Sequence, residues 1–498
     1  MKGKRLIQIQ KEDNVAIAID GLEEGEKISF GGEDYCAPGR IPVNHKMALC
    51  SIKKGESIIK YGSPIGVATE DIERGQWVHS HNMKTGLAGK LEYVYEPVSG
   101  KTKKEGLSQE TFMGYVRADG QVGTRNEIWI IPTVSCVNHM TRLLAERAAK
   151  EFNGCCDGIY AYPHNSGCSQ LGEDHKTTQR ILASIIHHPN AGGMLVVSLG
   201  CENNNLKELM PILGEVDESR IKFMVAQEEE DEIEAGLALI GQIAEAVSGD
   251  EREPVSVSRL KIGFKCGGSD ALSGVTANPL CGQMADRVVE AGGTAILTEV
   301  PEMFGAETIL MNRADSRETF EKVVSLINSF KQYYMDYNQP IYENPAPGNK
   351  AGGITTLEEK SLGCVQKGGH AAVTNTLMYG QRAGKPGLNL MNGPGNDSVS
   401  VTNLVAAGAQ LLLFTTGRGN PLGTSIPAVK LASNTQLYNK KKHWFDFNAG
   451  RLLEEAAWEE LSEELWKLIL DVASGRKQTR NEEHGYKDIM IFKNGVLL

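Results

Sequence analysis

The chain has few aromatic residues, no long apolar run and no excess of positive charge. Phe, Trp and Tyr make up 6% of its 498 residues, and its formal net charge at neutral pH is −11. No apolar run approaches the roughly 20 residues that a membrane helix needs. The basic stretches, such as Lys440–Lys442, are short and isolated, which disfavours attraction to phosphate backbones. We therefore expect neither a membrane nor a nucleic acid as a partner.

The N-terminus has no apolar core of the kind that marks a secretory signal. Basic residues within Met1–Arg5 are followed by an alternating, strand-like stretch. The ten cysteines of the chain are therefore expected to be thiols, core residues or metal ligands rather than a disulfide framework. These features predict a cytoplasmic protein.

The length of the chain indicates two or three domains, because single domains usually span roughly 100 to 200 residues. Residues 1–95 contain short β-like stretches separated by turn residues, which predicts a small β-rich domain. Residues 96–110 are polar, contain Pro97 and show no periodicity, so we interpret them as a linker.

From residue 111 onward, apolar strands alternate with glycine-containing loops and amphipathic helices. This order is typical of parallel sheets covered by helices on both faces. The turn-rich segment QPIYENPAPGNKAGG, residues 339–353, predicts a boundary between one α/β domain at 111–340 and a second at 341–498. The predicted fold class is thus α/β, with an N-terminal β-rich domain followed by two parallel-sheet sub-domains.

Four of the predicted strands are followed by a cysteine: Cys136, Cys168, Cys201 and Cys266. Ligands of open parallel sheets bind beyond the carboxyl ends of the strands, so these positions favour a common site. Thiolates suit iron, zinc or an iron–sulfur cluster. The alternative is that each cysteine is a small buried core residue. No role is predicted for the cysteines without this setting: Cys36, Cys50, Cys155, Cys156, Cys281 and Cys364.

Histidines form a second candidate metal site. His79 and His81 are two residues apart, so in an extended segment their side chains would face the same side, and His45 lies upstream. Neutral imidazole is a common metal ligand. The alternative is a solvent-exposed pair at the end of a strand.

Several polar residues are candidates for substrate binding or proton transfer. Arg125 and Arg418 lie in glycine-containing loops beside predicted strands, and a guanidinium can bind a carboxylate with two hydrogen bonds. Each arginine could instead form a surface ion pair. The other candidate binding residues are Ser269 and Asp270, which follow the predicted strand Ile262–Phe264, and Asn392 in a glycine loop. The candidate bases are His164, His79, His81 and Lys265, of which the lysine would need a lowered pKa.

Longer motifs carry a resemblance to a known family. They are IKYGSPIG at 59–66, HSHN at 79–82, NSGCSQLG at 165–172, GCENN at 200–204, CGGSD at 266–270 and LTEVPEMFGAE at 297–307. Together they resemble the altronate/galactarate dehydratase family along essentially the whole chain.

The resemblance implies an N-terminal SAF-type β domain, an α/β dehydratase region and a role in hexuronate catabolism. It implies dehydration of D-altronate to 2-dehydro-3-deoxy-D-gluconate, with galactarate as the related alternative substrate. It also implies Fe²⁺ or Mn²⁺, which would stabilise the enediolate-like charge and help the hydroxyl to leave while a side chain acts as base.

The sequence leaves alternatives open for both the metal ligands and the kind of protein. The metal would be held by the three histidines, by the four strand-end cysteines, or by both in one composite site if the β domain closes over the sheet, and an iron–sulfur cluster stays open. A non-enzymatic metal-binding or redox-sensing protein could use the same cysteines. A carbohydrate-binding module would explain only residues 1–95. A homo-oligomer is neither predicted nor excluded.

Overall fold

The structure is a computed structural model that describes residues 5–104, 110–454, 456–495 and 497. It confirms the predicted fold class, because an N-terminal β-rich region precedes two parallel sheets flanked by helices. Among the described helices, none combines the length and apolar character required to cross a membrane.

The N-terminal region consists of short antiparallel strands in three small sheets, with the orders β1-β2-β5-β8, β3-β4 and β6-β7-β9. Buried and exposed residues alternate at the start of Lys27–Phe30, whereas Val15–Ala18 and His45–Ala48 are buried throughout. The strands are β1 Leu6–Ile7, β2 Val15–Ala18, β3 Lys27–Phe30, β4 Glu33–Cys36, β5 His45–Ala48, β6 Ser57–Lys60, β7 Ser63–Ala68, β8 Trp77–Val78 and β9 Met83–Lys84.

The hairpin of β6 and β7 packs against the C-terminal region. Its two-residue turn, Tyr61 and Gly62, has φ values of 61° and 68°, as a tight hairpin turn requires. The Tyr61 hydroxyl lies where a side chain on Gly274 would be, only 2.3 Å from an added Cβ. Glycine at 274 therefore allows the tip of the hairpin to reach the C-terminal sheet region.

The second region is a four-stranded parallel sheet of order β13-β12-β14-β15. Apolar clusters cover both of its faces. A three-stranded antiparallel sheet of order β11-β10-β16 lies beside it. The strands are β10 Thr111–Val116, β11 Val122–Gly123, β12 Glu127–Pro132, β13 Gly158–Ala161, β14 Ala191–Ser198, β15 Ile221–Val225 and β16 Glu253–Ser256. The helices are α1 Asn138–Glu151, α2 Gly172–Ile186, α3 Leu206–Leu213 and α4 Glu232–Val247.

The third region is a seven-stranded parallel sheet of order β19-β20-β18-β17-β21-β22-β23. Its strands are β17 Lys261–Cys266, β18 Thr294–Leu297, β19 Val373–Leu377, β20 Gly387–Met391, β21 Leu411–Thr416, β22 Ala428–Ala432 and β23 Phe447–Asn448. Its helices are α5 Ala277–Glu290, α6 Glu307–Met311, α7 Arg317–Asp336, α8 Pro347–Ala351, α9 Leu357–Cys364, α10 Asp397–Ala406, α11 Thr435–Lys440, α12 Trp458–Ala473 and α13 Arg480–Glu483.

The strand order of this sheet reverses at β17, which has β18 on one side and β21 on the other. Such a reversal leaves a crevice outside the carboxyl ends of the central strands, where ligands of open α/β sheets bind. The fold therefore directs attention to the residues that follow β17, β18, β20 and β21.

The sheet also bears on the predicted domain limits. Strands β17 and β18 precede residue 340, whereas β19 to β23 follow it, and all seven share one sheet. The turn-rich segment 339–353 is thus a connection within one unit, in contrast to the predicted boundary at 340. Within the predicted linker, Val98 and Lys101 donate backbone hydrogen bonds to Asn312 and His370, so the segment follows the third region. Residues 105–109 of that linker lie outside the described residues.

Candidate active site

Two thiols and two carboxylates meet at the carboxyl end of the seven-stranded sheet. The ligand atoms of Cys266, Glu299, Glu302 and Cys364 all lie within 4.8 Å of one another, and all four residues are buried. Cys266 ends β17, the two glutamates follow β18, and Cys364 ends α9. The Cys266 Sγ lies 3.4 Å from Glu302 Oε2 and 3.7 Å from Cys364 Sγ. We call these four residues the buried donor group.

Three buried lysines surround the buried donor group. The Lys367 Nζ donates to both sulfur atoms, at 2.8 Å to Cys364 and 3.0 Å to Cys266, and lies 3.0 Å from Glu299 Oε2. Lys265 forms ion pairs with Glu299 and, at 2.8 Å, with Asp397. The third lysine, Lys360, forms an ion pair with Glu302. Charges this deeply buried are tolerated only when they are paired.

Local backbone structure places these groups. Glu299 has φ 70° and ψ 51°, the left-handed region that non-glycine residues rarely adopt. A backbone held in this region costs free energy and is found mostly at functional sites. Lys360, Cys364 and Lys367 follow a spacing of four and three residues along α9 and the turn after it, which places them on one face.

The lysines keep the Glu302 carboxylate charged. Burial acts to raise the pKa of Glu302, but the ammonium groups of Lys360, Lys265 and Lys367 outweigh it and lower this pKa to about 2. The pKa values of Lys265 and Lys367 are well above the usual range, since the neighbouring acidic groups outweigh burial. The ion pairs therefore persist at neutral pH.

A cleft of about 470 Å³ opens beside the buried donor group. This volume is within the range of small-molecule sites. The cleft is lined by Cys266, Gly267, Gly268, Glu302, Glu343, Asn344, Ala346, Gly348, Asn349, Lys360, Gly395, Asp397 and Arg418. Its walls thus carry the charged and carboxamide groups that a polyhydroxy acid requires.

The two cations of the cleft differ in their partners. Lys360 forms an ion pair of 2.9 Å with Glu302 and donates to the Asn344 side chain at 2.9 Å. Arg418 is exposed, and its guanidinium has no hydrogen bond or ion pair with any residue that the structure describes. Its backbone N–H donates to Gly268 at 2.8 Å, which fixes the start of its side chain at the cleft. Arg418 is therefore available to bind a carboxylate.

The other residues that were predicted near this sheet have structural partners. Asp270 accepts hydrogen bonds from the Ser273 N–H and hydroxyl, the Ser433 hydroxyl and the Asn434 amide, so its carboxylate is occupied. The Ser269 carbonyl accepts from Asn349 at 2.7 Å, which ties its loop to α8. The Asn392 carbonyl accepts from Asn403 at 2.7 Å. None of these three side chains lines the described cleft.

The histidines lie in the N-terminal region. His79–Asn82 is a turn rather than the extended segment that was predicted, because the Asn82 N–H donates to the His79 carbonyl. His79 is buried while His81 is exposed. The His79 Nδ1 bonds the Thr355 hydroxyl at 2.8 Å, and the Trp77 indole donates to His45 Nδ1 at 3.1 Å. The rings of His45 and His79 are 4.8 Å apart, but both have protein partners.

A buried ion-pair network joins this region to α9. Glu359 accepts from Lys46 and Lys60, each at 2.8 Å, and Lys46 also donates to Thr355 at 2.7 Å. Although burial acts to raise the pKa of Glu359, the two lysines lower it to about 2. Since Glu359 precedes Lys360, the N-terminal region holds the helix that supplies Lys360, Cys364 and part of the cleft.

Three of the four strand-end cysteines lie on the other parallel sheet. Cys136, Cys168 and Cys201 follow β12, β13 and β14 and are exposed, whereas Cys266 belongs to the buried donor group. The structure therefore divides the predicted set of four between two sheets.

Two further predicted residues serve the second region. The imidazole of His164 uses both nitrogens, since Nε2 bonds the Pro132 carbonyl at 2.7 Å and Nδ1 accepts from the Ser166 N–H. Burial lowers its pKa to about 4. Arg125 is buried and forms an ion pair of 2.7 Å with Glu482. Neither side chain lines the cleft.

Sequence reasoning missed the residues that complete the site: Glu299, Glu302, Lys360, Cys364, Lys367 and Asp397. The two glutamates follow a predicted strand and lie within a quoted motif, so the strand-end rule applies to them as well. Cys364 was given no role because it ends a helix instead of a strand. Its helical spacing from Lys360 and Lys367 was the available signal.

Three parts of the chain match described families. Residues 4–86 match the altronate/galactarate dehydratase SAF domain, residues 114–248 the second domain of D-galactarate dehydratase/altronate hydrolase, and residues 257–497 the C-terminal domain of D-galactarate/altronate dehydratase. All residues of the buried donor group and the cleft belong to the last match.

Similar proteins cover the chain from end to end. The altronate dehydratase of Escherichia coli (strain K12) is 48% identical over 494 residues, 99% of each chain. The altronate dehydratase of Bacillus subtilis (strain 168) is 49% identical over 498 residues, 99% of this chain and 100% of that one. The galactarate dehydratase (L-threo-forming) of Escherichia coli (strain K12) is 34% identical, with 98% and 96% coverage.

Proposed function

Because the chain belongs to the altronate/galactarate dehydratase family of hydro-lyases, we propose that it dehydrates D-altronate to 2-dehydro-3-deoxy-D-gluconate. The observation that carries this proposal is the charged cleft at the strand-order reversal, beside the buried donor group. The identities of 48% and 49% to altronate dehydratases, against 34% to galactarate dehydratase, support altronate.

The charges of the cleft also favour a substrate with one carboxylate. Arg418 is the cleft cation without a partner among the described residues, while Glu302 neutralises Lys360. A guanidinium binds a carboxylate in a fork, so Arg418 would fix that end of the acid. Galactarate carries a second carboxylate, for which the described cleft has no second unpaired cation.

We assign proton transfer to Asp397 and Lys360 of the cleft wall. The Asp397 carboxylate, 27% exposed and paired with Lys265, would accept the proton from the carbon next to the substrate carboxylate. The Lys360 ammonium would protonate the hydroxyl that leaves from the next carbon. Loss of this hydroxyl as water gives an enol, which becomes the 2-keto acid. Lys265, a base predicted from the sequence, would orient Asp397.

The buried donor group is also the better candidate for Fe²⁺ or Mn²⁺. The Lys367 ammonium already lies within 3.0 Å of three of its four residues, which supports its affinity for a cation. Lys265, Lys360 and Lys367 balance Glu299, Glu302 and Asp397, so deprotonation of both thiols would leave the charge that a divalent ion neutralises. Thiolate ligands favour iron over manganese. A bound ion supplies Lewis acidity that stabilises the enediolate and the leaving oxygen.

The histidine group is a weaker candidate. His45 accepts from Trp77, and its imidazole also bonds the Ala351 backbone. His79 uses Nδ1 for Thr355. Cytoplasmic location is likewise part of this proposal, supported by ten cysteines that are all free thiols. The sugar acid is the partner that the cleft supports.

The test is turnover of defined acids by anaerobically purified protein. D-altronate with Fe²⁺ or Mn²⁺ should give a 2-keto-3-deoxy acid, identified by mass spectrometry, and galactarate should react more slowly. Asp397→Asn should lose at least about 10²-fold in kcat, as expected for removal of a general base. Asp71→Asn, at an exposed aspartate, is the control and should keep full activity. A lack of keto acid from either substrate would contradict the dehydratase proposal.

A further inference from the structure

We propose that Cys136, Cys168 and Cys201 bind a [4Fe–4S] cluster at the carboxyl edge of the second region's parallel sheet. We call these three residues the cysteine triad. It is separate from the buried donor group, which is built on the other parallel sheet. The proposal concerns a binding site and does not depend on the substrate proposed above.

The positions of the three thiols follow from the strand order. Cys168, Cys136 and Cys201 come after β13, β12 and β14, which are three adjacent parallel strands. Parallel strands are about 4.8 Å apart and end at the same edge of a sheet. The three cysteines therefore project from neighbouring loops on one edge, and all of them are exposed.

Hydrogen bonds hold the three loops together. The Ser135 N–H donates to the Ser166 carbonyl at 3.0 Å, which joins the first two loops. The Asn204 N–H donates to the Gly167 carbonyl at 3.1 Å, and the Ser169 N–H donates to the Asn203 side chain at 2.8 Å, which joins the second and third. The residues next to the cysteines are thus fixed relative to one another before any ligand binds.

A buried carboxylate adds to the hydrogen bonds that join these loops. Glu202, next to Cys201, accepts from the hydroxyls of Thr133 and Ser198, each at 2.6 Å, and from the N–H of Gly200 at 2.7 Å. It therefore connects the strand before Cys136 with the loop of Cys201. Gly167, beside Cys168, has φ 102°, and an added Cβ would lie 2.1 Å from the Thr133 carbonyl, so the loop requires glycine for this close approach.

Among the described residues, the three thiols do not form the close group that a single ion requires. Around one ion with metal–sulfur bonds of about 2.3 Å in a tetrahedron, sulfur atoms lie roughly 3.8 Å apart. The triad is not among the donors that lie within 4.8 Å of one another in the described part of the chain. In a cluster each cysteine binds its own iron, which requires thiols farther apart.

The thiols have weak partners that a cluster could replace. Cys201 Sγ accepts from Gln227 at 3.6 Å, and Cys168 Sγ lies 3.7 Å from the Ser169 hydroxyl. Helices α1, α2 and α3 begin shortly after the three cysteines, so their positive N-terminal ends lie at this edge of the sheet. With three cysteine ligands, the fourth iron of the cluster would remain open to water or to an oxygen of a small acid.

The test is anaerobic reconstitution of the full-length protein with Fe²⁺, sulfide and a thiol reductant. Wild type should bind about four sulfides per chain, about four irons in addition to any iron at the buried donor group, and show the broad visible absorption of a cluster. Cys201→Ser, and likewise Cys136→Ser and Cys168→Ser, should lower iron and sulfide content together. Cys50→Ser, which also changes an exposed cysteine, is the matched control and should load like wild type.

Two outcomes would overturn the proposal. One is failure of folded wild type to incorporate sulfide, including the case in which it binds a single iron. The other is equal cluster content in wild type and in the variant that lacks all three thiols. Circular dichroism establishes folding, and since iron and sulfide content are measured apart from turnover, failure of the cluster proposal is distinguishable from failure of the dehydratase proposal.

Discussion

The two parallel sheets present cysteines at the ends of their strands in very different surroundings. Cys266, at the end of β17, is buried among two glutamates, a second thiol and lysines. Cys201, after β14, is exposed, and its Sγ accepts a hydrogen bond from the neutral amide of Gln227. The same position relative to a strand thus gives a charged, covered site in one sheet and an open site in the other.

The two sites differ in exposure because, among the described residues, a helix packs over the strand ends of one sheet and not of the other. Helix α9 brings Lys360 and Cys364 over the seven-stranded sheet, and the N-terminal region fixes that helix through Glu359. Buried charges require such pairing because they lose hydration. At the second sheet, the loops bond one another and leave the thiols exposed. The comparison predicts that substitutions at the covered site affect activity and folding far more than substitutions at the open edge.

The largest effect is expected for Lys360→Met. The change removes the proposed acid and leaves Glu302 with Asn344 as its nearest cleft partner. We expect kcat to fall by about 10³-fold, within the range for loss of a general acid in a charged site. The fall in kcat is measured by steady-state kinetics on a variant whose circular dichroism spectrum matches that of wild type. Lys176→Met, at an exposed lysine, is the control. Near-normal kcat would remove Lys360 from the chemistry.

The next largest effect is expected for Glu359→Gln. This substitution leaves Lys46 and Lys60 buried without a negative partner, which should lower the free energy of unfolding by about 3 kcal/mol or more. Chemical denaturation is the measurement. Glu173→Gln, at an exposed glutamate paired with Lys176, should change stability by less than about 0.5 kcal/mol. Equal effects of the two substitutions would contradict the role of the buried network.

Acid should destabilise the second region through His164. His164 has a folded-state pKa of about 4, below its usual 6.5, so its contribution is complete above pH 6.5 and decreases as pH falls toward 4. The pKa of Glu359 is about 2 in the folded protein, below its usual 4.5, so the stability that Glu359 contributes is lost only below about pH 4.5. Between pH 7 and 4 we expect His164 to account for about 3 kcal/mol of lost stability.

His164→Asn tests this difference. The variant should be less stable at pH 7, since two hydrogen bonds change, but its stability should depend less on pH between 7 and 4 than that of wild type. Hydrogen exchange of the β12 and β13 amides locates the effect in the second region. An unchanged pH dependence would show that His164 is not the group that titrates there.

A smaller effect is expected for Arg418→Lys. Lysine keeps the positive charge at the cleft but loses the planar fork, so KM for the sugar acid should rise about tenfold while kcat changes little. Arg147→Lys, at a largely exposed arginine of the second region, is the control. A selective fall in kcat would instead place Arg418 in the chemical step.

The smallest effect on folding is expected for Cys136→Ser. The thiol is exposed, so the metal-free variant should unfold within about 0.5 kcal/mol of wild type. Cys281→Ser, which places a hydroxyl in the apolar core, should be destabilised by at least about 1 kcal/mol. Chemical denaturation of the metal-free variants measures the two free energies of unfolding. A large loss of stability in Cys136→Ser would mean that the Cys136 thiol stabilises the loops.

Prediction from sequence succeeded where a residue follows a local pattern. Alternating strands and helices indicated the α/β class, and long motifs identified the family. The strand-end rule selected Cys266 and Lys265, which lie at the site. It failed for Cys364 because a helix brings that residue to the sheet from 98 positions along the chain. The rule also grouped Cys266 with Cys136, since strand ends alone do not say which strands share a sheet.

The sequence by itself determined the local elements, the β-rich start, and the glycines at turns such as Tyr61–Gly62. Tertiary structure decided that β17 and β18 join the five strands after residue 340, and that three lysines meet two glutamates and two thiols. The physical reason is that backbone preferences act between near neighbours in the chain. Burial and pairing of charges instead depend on side chains that only the completed fold brings together.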